Sequence, residues 1–341
     1  MDRRHLHPED LTMRLPAARG PVSAGLMRYL RDRTAAAPPV PAAAGGALLG
    51  DDDVQFALAV AYELHYRGFD DVDDSREWDV PLLAWRAEVE SLFLTALADV
   101  VTVPVGTATP IDLALRALVD ADDGPSLSSY LMRRATADQF RDFVVQRSAY
   151  QLKEADPHTW AIPRIGGAAK AALVEIQSDE YGGGRGAERM HCSLFARTMR
   201  ALGLDDTYGA YWDDVIPEMF ATVNAATMFG LHRRWRGAAV GHLAALEMTS
   251  TVPNRRYANG LRRLRLDPAA CDFYDEHVEA DAVHEQLAAW DLCGSLVAAE
   301  PVLRPDVLFG AAGCIELERR FALALLARWE VDVAPAAGQV A

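Results

Sequence analysis

The chain has 341 residues, of which 50% are hydrophobic and 24% are charged, and its formal net charge is −15 at pH 7. This composition is typical of a globular protein, and the length is sufficient for one large domain or two ordinary ones. The acidity argues against nucleic acid or an anionic membrane as a partner, since both bind surfaces with clustered Lys and Arg.

The N-terminal residues and the cysteines indicate a cytoplasmic protein. The opening stretch, MDRRHLHPEDLTMRLPAARG, is charged and lacks the apolar core of a secretory signal. No run approaches the ~20 apolar residues that span a membrane. The four cysteines (Cys192, Cys271, Cys293 and Cys314) are widely spaced and form no CxxC pair. We therefore expect small buried thiols rather than a disulfide framework or a zinc–thiolate site.

The chain changes character near residue 51. Residues 1–50 are rich in Ala, Pro and Gly, which predicts a flexible tether with at most a short helix over Leu26–Arg33. Residues 51–130 show helical periodicity that begins with acidic N-capping residues, and we interpret them as a helical extension. A short strand is an alternative for VVTVPV, although the chain shows no longer alternating pattern.

Residues 131–341 are predicted to form a metal-binding bundle of long helices separated by Pro and Gly. The fold class is therefore all-α. The helices are expected near Ala137–Ala155, Gly167–Tyr181, Ala187–Leu202, Asp213–Leu231, Arg236–Met248, Asn254–Leu264, Pro268–Leu292 and Ala311–Trp329.

Several of these helices carry ionisable residues on an apolar face, where a charge is costly unless it is paired or bound to a metal. In EHVEADAVHEQ, His277, Asp281 and His284 fall within an arc of roughly 60° on one side of a helix. Two imidazoles and a carboxylate in this arrangement can converge on a metal ion. The alternative is a solvated polar face with two incidental histidines.

Glu247 and Glu180 are acids among apolar neighbours. Glu247 is the only acid in GAAVGHLAALEM and shares its face with Val240 and Leu243. A bound cation would keep such a carboxylate ionised, and pairing with an arginine such as Arg236 is the alternative. Glu180 is the last residue of ALVEIQSDE and continues the inward-facing stripe of Leu173, Ile176 and Gln177.

His191 and Glu154 complete the candidate set. His191 shares the apolar side of its helix with Phe195, and the alternative is an ordinary core histidine. Glu154 continues the line of Tyr150 at the end of a helix, where a simple helix-terminal acid is the alternative. His158 is a nearby substitute, but the proline before it is expected to end the helix first.

Together these residues supply four carboxylates and three imidazoles without a thiolate. Oxygen and imidazole ligands suit iron or manganese, and the number of ligands fits two ions rather than one. The candidate metal ligands are Glu154, Glu180, His191, Glu247, His277, Asp281 and His284.

The ligand order resembles that of the heme-oxygenase-like diiron oxidases and oxygenases, often described as iron-containing redox enzymes. The resemblance covers about residues 135–335, and EIQSDEYGGG, RGAAVGHLAALEMTS and FYDEHVEADAVHEQ look like the bacterial branch of the family. The family pattern runs Glu, Glu, His, Glu and then His-x3-Asp-x2-His, and it is met in order by the seven candidates. The resemblance implies a heme-oxygenase-like helical bundle, to which this chain adds an N-terminal helical extension that covers the site or forms an interface.

The resemblance also implies a function. Relatives bind two Fe(II) ions per chain, use O2 as co-substrate and depend on an external reductant, for which a ferredoxin is one candidate. They oxidise small molecules in specialised metabolism, by N-oxygenation or by oxidative C–C cleavage of an amine, an amino acid or a carboxylic acid. No heme is implied, because a heme protein of this fold needs a histidine on the first core helix, where this chain has Glu154. A homodimer is compatible with this assignment.

Three alternatives predict different behaviour. A helical protein that stores or senses iron would bind metal without substrate-dependent oxygen consumption. A cofactor-independent oxidase of the same fold would use its histidines as acids and bases, and a purely structural bundle would do neither. We expect Tyr150, Phe195 and Tyr274 to line the substrate pocket of an enzyme.

Overall fold

The computed structural model describes residues 13–42, 45–104 and 109–332, and the side chains of all these residues except 281–283. Within these ranges the chain forms fourteen α-helices and no β-strand, with one isolated bridge between Met13 and Phe69. The all-α prediction is confirmed. The helices are α1 (Pro21–Arg31), α2 (Asp52–Glu63), α3 (Val80–Val100), α4 (Ile111–Asp120), α5 (Leu127–Arg133), α6 (Ala137–Gln151), α7 (Asp156–Thr159), α8 (Gly167–Glu180), α9 (His191–Ala201), α10 (Pro217–Leu231), α11 (Arg236–Leu264), α12 (Asp272–Gln286), α13 (Ser295–Ala299) and α14 (Arg304–Arg328).

The two longest helices, α11 and α14, pack with their backbones in contact. A Cβ atom added at Gly241 would overlap the carbonyl of Val307, and one added at Gly310 would overlap the carbonyl of Ala238. Glycine at these positions therefore lets the two helices approach more closely than any side chain would allow. This contact fixes α11, which carries one of the predicted ligands.

The prediction of two separate helices over Arg236–Met248 and Asn254–Leu264 was wrong. The structure has one continuous helix, α11, with Pro253 inside it. Proline removes one helical hydrogen bond, but Met248 before it and Tyr257 after it are both buried. Burial of apolar residues on both sides of the proline holds the two halves in one helix.

The prediction of a flexible tether over residues 1–50 is corrected where the structure describes them. The helix α1 buries Leu26 and Leu30, and a 3-10 helix over Gly45–Gly50 buries Leu48. The carboxylate of Asp53 accepts hydrogen bonds from backbone N–H groups in the first turn of α1. This segment is rich in Ala and Pro, yet its leucine side chains Leu26, Leu30 and Leu48 are buried in the core.

The residues of the predicted extension and those of the predicted bundle share one hydrophobic core. Buried side chains of this core run from Leu15 to Leu326. The helix α2 is buried from Val54 to Glu63 and packs against α1 and α10. The strand alternative for VVTVPV does not appear in its described part, because α3 ends at Val100 and the next four residues have no regular structure.

The helix that carries the closing His-x3-Asp-x2-His motif is less regular than predicted. The predicted span Pro268–Leu292 consists of a 3-10 turn over Pro268–Cys271, then α12, then a π-helical segment over Leu287–Gly294.

No helix among the described residues combines the length and the apolar character needed to cross a membrane.

Candidate metal centre

The predicted ligands come from five parts of the chain and meet inside the bundle. Glu154 lies in the turn after α6, and Glu180 is the last residue of α8. His191 is the first residue of α9, and Glu247 lies within α11. The remaining residues, His277, Asp281 and His284, belong to α12, and the side chain of Asp281 lies outside the described part of the structure.

Six of the seven predicted ligands form two adjoining clusters. In the first cluster, Glu154, Glu180, His191 and His277 each present one ligand atom, and these atoms all lie within 4.8 Å of one another. In the second cluster, Glu180, Glu247 and His284 meet the same limit. Glu180 belongs to both clusters. A carboxylate shared in this way can bridge two metal ions.

The first cluster brings acceptor atoms together in a buried space. Nδ1 of His191 lies 2.9 Å from Oε2 of Glu180, and Nε2 of His277 lies 3.4 Å from Oε1 of Glu154. The rings of His191 and His277 are 4.3 Å apart between centroids. The second carboxylate oxygen of Glu154 is buried and has no hydrogen-bond partner among the described residues. A cation would satisfy an oxygen that no donor reaches.

The backbone of α12 orients the ring of His277, a candidate metal ligand. Nδ1 of His277 lies 2.8 Å from the carbonyl oxygen of Phe273. A carbonyl only accepts, so this nitrogen carries the proton and donates it. The lone pair of the imidazole is then on Nε2, which faces Glu154. A hydrogen bond of this kind fixes the tautomer and the ring orientation of metal-binding histidines.

Asp179 orients His284 in the second cluster. Nε2 of His284 lies 3.1 Å from Oδ2 of Asp179, while Nδ1 lies 3.5 Å from Oε2 of Glu247. Burial alone would lower the pKa of His284, but the neighbouring carboxylates of Glu247, Asp179 and Glu180 raise it to about 9. Asp179 was not among the predicted site residues, because it lies on the half-exposed side of α8 and does not interrupt the apolar pattern.

Glu247 is the acid that most needs a positive neighbour. It is buried, and burial raises its pKa, as does the negative charge of Glu180. The alternative partner Arg236 does not reach it, because Arg236 pairs with Glu300. Only the hydrogen bond and charge of His284, with a smaller contribution from His277, oppose the rise in pKa. A metal ion between these groups would remove the penalty.

Two of the alternatives for the histidines do not match the structure. His277 and His284 are 5% and 1% exposed, so α12 does not present a solvated polar face at these positions. His158 is buried but belongs to neither cluster, and its Nε2 lies 3.1 Å from Nδ1 of His242. These two rings form a separate neutral pair, since burial lowers the pKa of both.

A cavity of about 240 Å³ adjoins the two clusters. Its lining includes Glu154, Glu180, Glu247 and His277. Tyr150, Phe195 and Tyr274 line it, as predicted, together with Phe143, Tyr257 and Phe273. Arg147 and Glu318 also line the cavity. The two terminal nitrogens of Arg147 donate hydrogen bonds to the two carboxylate oxygens of Glu318, at 2.8 and 2.5 Å. This ion pair was not predicted from the sequence, because its partners are 171 residues apart.

Comparison with known proteins agrees with this geometry. Residues 141–319 match the family model described as "Iron-containing redox enzyme". A nitrosourea synthase from Streptomyces achromogenes subsp. streptozoticus is 26% identical over 159 residues, which is 47% of this chain and 34% of that protein. The chain therefore matches only about a third of the length of this curated relative. The crystal structure of a CADD-like protein of unknown function from Nostoc punctiforme superposes with a TM-score of 0.50 at 16% identity, covering 64% of this chain and 97% of that one.

Proposed function

The chain belongs to the family of iron-containing redox enzymes, and on that premise we propose that it is a non-heme iron oxidase or oxygenase that uses dioxygen to oxidise a small molecule. It has the heme-oxygenase-like helical fold of the family. The observation that carries the proposal is the pair of buried ligand clusters that share Glu180.

The residues present fit two iron ions. Glu154, Glu180, His191 and His277 would hold one ion, and Glu180, Glu247 and His284 would hold the other. Asp281 is assigned to the same centre by its spacing in the closing motif. The four carboxylates balance the charge of two Fe(II) ions, and carboxylate with imidazole is a donor set that iron favours. Heme is not expected, because Glu154 stands where a heme ligand would be needed.

Bound iron would supply the electrons for reduction of dioxygen and the oxidising power for the substrate, and an external reductant would restore Fe(II). The protein would orient the histidine ligands and provide the surroundings of the reacting groups. The carbonyl of Phe273 holds the proton on Nδ1 of His277, and Asp179 holds His284 from the outside. Aromatic side chains line part of the cavity beside these carboxylates, and such a wall would limit the contact of a bound substrate with water.

The substrate is proposed to be small. A cavity of about 240 Å³ lies below the range of roughly 300–1,000 Å³ that drug-sized ligands occupy. The similarity to a nitrosourea synthase supports nitrogen oxygenation in specialised metabolism as one outcome. Oxidative C–C cleavage of an amine, an amino acid or a carboxylic acid is the other outcome within the proposal.

Exposure of the Fe(II)-loaded protein to oxygen tests the proposal. The protein would be loaded without oxygen and mixed with buffer containing oxygen, with or without candidate amines and carboxylic acids. We expect a correct substrate to accelerate oxidation of the iron and to yield an oxidised product by mass spectrometry. The His277→Ala variant should lose this response, and His232→Ala, outside both clusters, should retain it.

The same experiment separates the alternatives. An iron store or sensor would bind iron but show no acceleration by any candidate. A cofactor-independent oxidase would consume oxygen after iron is removed by a chelator. Either result would contradict the proposed function.

A further inference from the structure

One surface loop joins two candidate ligands of the first cluster. Residues 181–190, which we call the strap, run from Glu180 at the end of α8 to His191 at the start of α9. Oε2 of Glu180 and Nδ1 of His191 are 2.9 Å apart, so the strap leaves the candidate metal centre and returns to it. It is therefore a compact loop whose two ends meet at the first cluster.

The strap has little regular structure of its own. Its regular part is the 3-10 turn over Ala187–Arg189. Four of its ten residues are glycines with φ angles of 90°, 57°, 72° and 109°, namely Gly182, Gly183, Gly184 and Gly186. A Cβ atom at Gly182 would lie 2.8 Å from the carbonyl oxygen of Gly186, so a side chain does not fit there. Because glycine adopts many backbone conformations, contacts with the rest of the protein are needed to hold the two ends of the strap in place.

The first of these contacts ties the strap to α12. Nη2 of Arg185 donates to Oε1 of Glu276 at 2.8 Å, and Nη2 of Arg189 donates to Oε2 of the same carboxylate. The side chain of Glu276 is 13% exposed, and both of its oxygens are bound by the strap. Glu276 immediately precedes His277, the candidate ligand that α12 contributes to the first cluster. One carboxylate therefore connects the strap to the backbone beside a third ligand.

The second contact ties the start of the strap to the turn that carries Glu154. Tyr181 donates its hydroxyl to Oδ1 of Asp156 at 2.8 Å, and the hydroxyl of Thr159 lies 2.9 Å from the same oxygen of Tyr181. Asp156 follows Glu154 by two residues. The strap and its two contacts therefore meet the chain within two residues of all four candidate ligands of the first cluster: Glu154, Glu180, His191 and His277.

We propose that Glu276 is a positioning residue that, through Arg185 and Arg189, holds the ligands of the first cluster together for an Fe(II) ion. The inference rests on the proposed function, because it takes this cluster to be an iron site. Loss of a group that holds metal ligands in place typically lowers metal affinity by about 10–100-fold. Ion pairs between partly exposed side chains contribute little to folding stability. The main effect of losing Glu276 is therefore expected on iron binding rather than on the fold.

The strap should act on one iron more than on the other. Glu247 and His284 of the second cluster lie more than two residues from either contact of the strap. His284 is oriented by Asp179, which lies outside the strap. Loss of the contact at Glu276 is therefore expected to weaken the iron of the first cluster and to leave the iron beside Glu247 and His284 in place.

A purely electrostatic effect of these residues predicts a different pattern. Glu276→Gln removes a negative charge near Fe(II), which would weaken iron binding even without any positioning. Replacing both Arg185 and Arg189 by Gln removes two positive charges, and charge alone then predicts tighter iron binding. Positioning predicts weaker binding in both cases, because either change breaks the contact between the strap and α12. The double arginine variant therefore separates the two explanations.

Competition with a chelator without oxygen measures the Fe(II) affinity. Each substitution would be made in the wild type and in Glu247→Ala, in which the first cluster is expected to hold the one remaining iron. We expect Glu276→Gln and the double arginine variant each to weaken Fe(II) binding at the first cluster about tenfold. Tyr181→Phe, which removes the second contact, should weaken it as well.

Asp275→Asn is the matched control. Asp275 is the residue before Glu276 on α12, but its Oδ2 pairs with Nη2 of Arg262 on α11, at 2.5 Å, and not with the strap. Asp275→Asn therefore removes the same charge from the same helix and keeps the strap in place. It should bind Fe(II) within about twofold of its parent.

Mössbauer spectra give a second readout that does not depend on activity. The Glu276→Gln variant would be loaded to saturation with isotopically enriched Fe(II). We expect the signal of one iron to change and that of the other to match the wild type, because only the ligands of the first cluster lose their support. Circular dichroism and urea unfolding of the metal-free variants would establish that each one is folded.

The outcomes distinguish the inference from the proposed function. If the wild type binds two irons but the double arginine variant binds iron as tightly as its parent or more tightly, the role of the strap is overturned and the iron site stands. Unchanged affinity in Glu276→Gln, or equal weakening by Asp275→Asn, would also overturn it. A wild-type protein that binds no iron would instead contradict the proposed function.

Discussion

A buried ion pair joins the predicted N-terminal extension to the turn that carries the candidate ligand Glu154. Nζ of Lys153 lies 2.8 Å from Oε2 of Glu63, and the two side chains are 3% and 0% exposed. Glu63 ends α2, which lies outside the region that matches the family model. Lys153 immediately precedes Glu154 and is one of only two lysines in the chain. The pair therefore connects a helix outside the matched residues 141–319 with the candidate metal centre.

Replacement of Lys153 by Met should destabilise the protein strongly. The Glu63 carboxylate would keep the hydroxyl of Tyr208 at 2.8 Å and the backbone N–H of Arg67 at 3.3 Å, but it would lose the ammonium group with which it forms an ion pair. Removing one partner of a buried ion pair costs about 3–5 kcal/mol. This is a large part of a total stability of about 5–15 kcal/mol. Glu63→Gln should also be costly, because Lys153 would then be a buried uncompensated cation.

A double-mutant cycle measures the interaction. Urea unfolding of the metal-free protein, followed by circular dichroism, would give the free energy of unfolding for each variant. We expect Glu63→Gln with Lys153→Met to cost less than the sum of the single substitutions, with a coupling of about 1–3 kcal/mol. Lys170→Met, at the other lysine, is the matched control and should have little effect. Single substitutions that each cost less than about 1 kcal/mol and add without coupling would refute this reasoning.

Three further predictions concern the ligands, the histidine pair and the helix contact. Glu180→Ala should lose both irons and Glu247→Ala only one, because only Glu180 belongs to both clusters; iron content by mass spectrometry checks this. Burial lowers the pKa of His242 to about 4, below the value of about 6.5 in unfolded chains. The unfolded state therefore binds more protons as the pH falls from about 6.5 to 4, and stability declines across that window. His242→Leu should flatten this part of the curve of unfolding free energy against pH. Gly310→Ala should cost about 1–3 kcal/mol in urea unfolding, because its methyl group would meet the carbonyl of Ala238.

The candidate ligands could be picked out from the sequence because they interrupt the apolar pattern of their helices, and their role as ligands stays a prediction. Glu247 stands alone among apolar residues, and His277 and His284 share one face of α12. Burying an ionisable side chain costs so much free energy that such residues are rare on the apolar face of a helix, and those that occur there stand out in the sequence. The structure brings these side chains together with Glu154, Glu180 and His191.

The residues around the ligands were not predictable in the same way. Asp179, Tyr181 and Glu276 are ordinary polar residues at positions where a surface residue is equally common. Their roles depend on which helix packs opposite them, and tertiary contacts decide that. The Arg147–Glu318 pair was missed for the same reason.

The errors in the predicted fold have a common physical origin. Local signals, such as Pro253 within α11 or the Ala- and Pro-rich residues 1–50, predicted a break and a tether. In the structure, tertiary burial outweighs both signals: Leu26 and Leu48 are fully buried, and α11 continues through the proline. Helix propensity is a weak guide wherever the core covers both sides of a segment.

Anomalous diffraction at the iron edge from crystals loaded with Fe(II) without oxygen tests the central claim most directly. The account predicts two peaks on either side of Glu180, one among Glu154, His191 and His277 and the other beside Glu247 and His284. Iron found away from these side chains, or no iron bound between them, would contradict it.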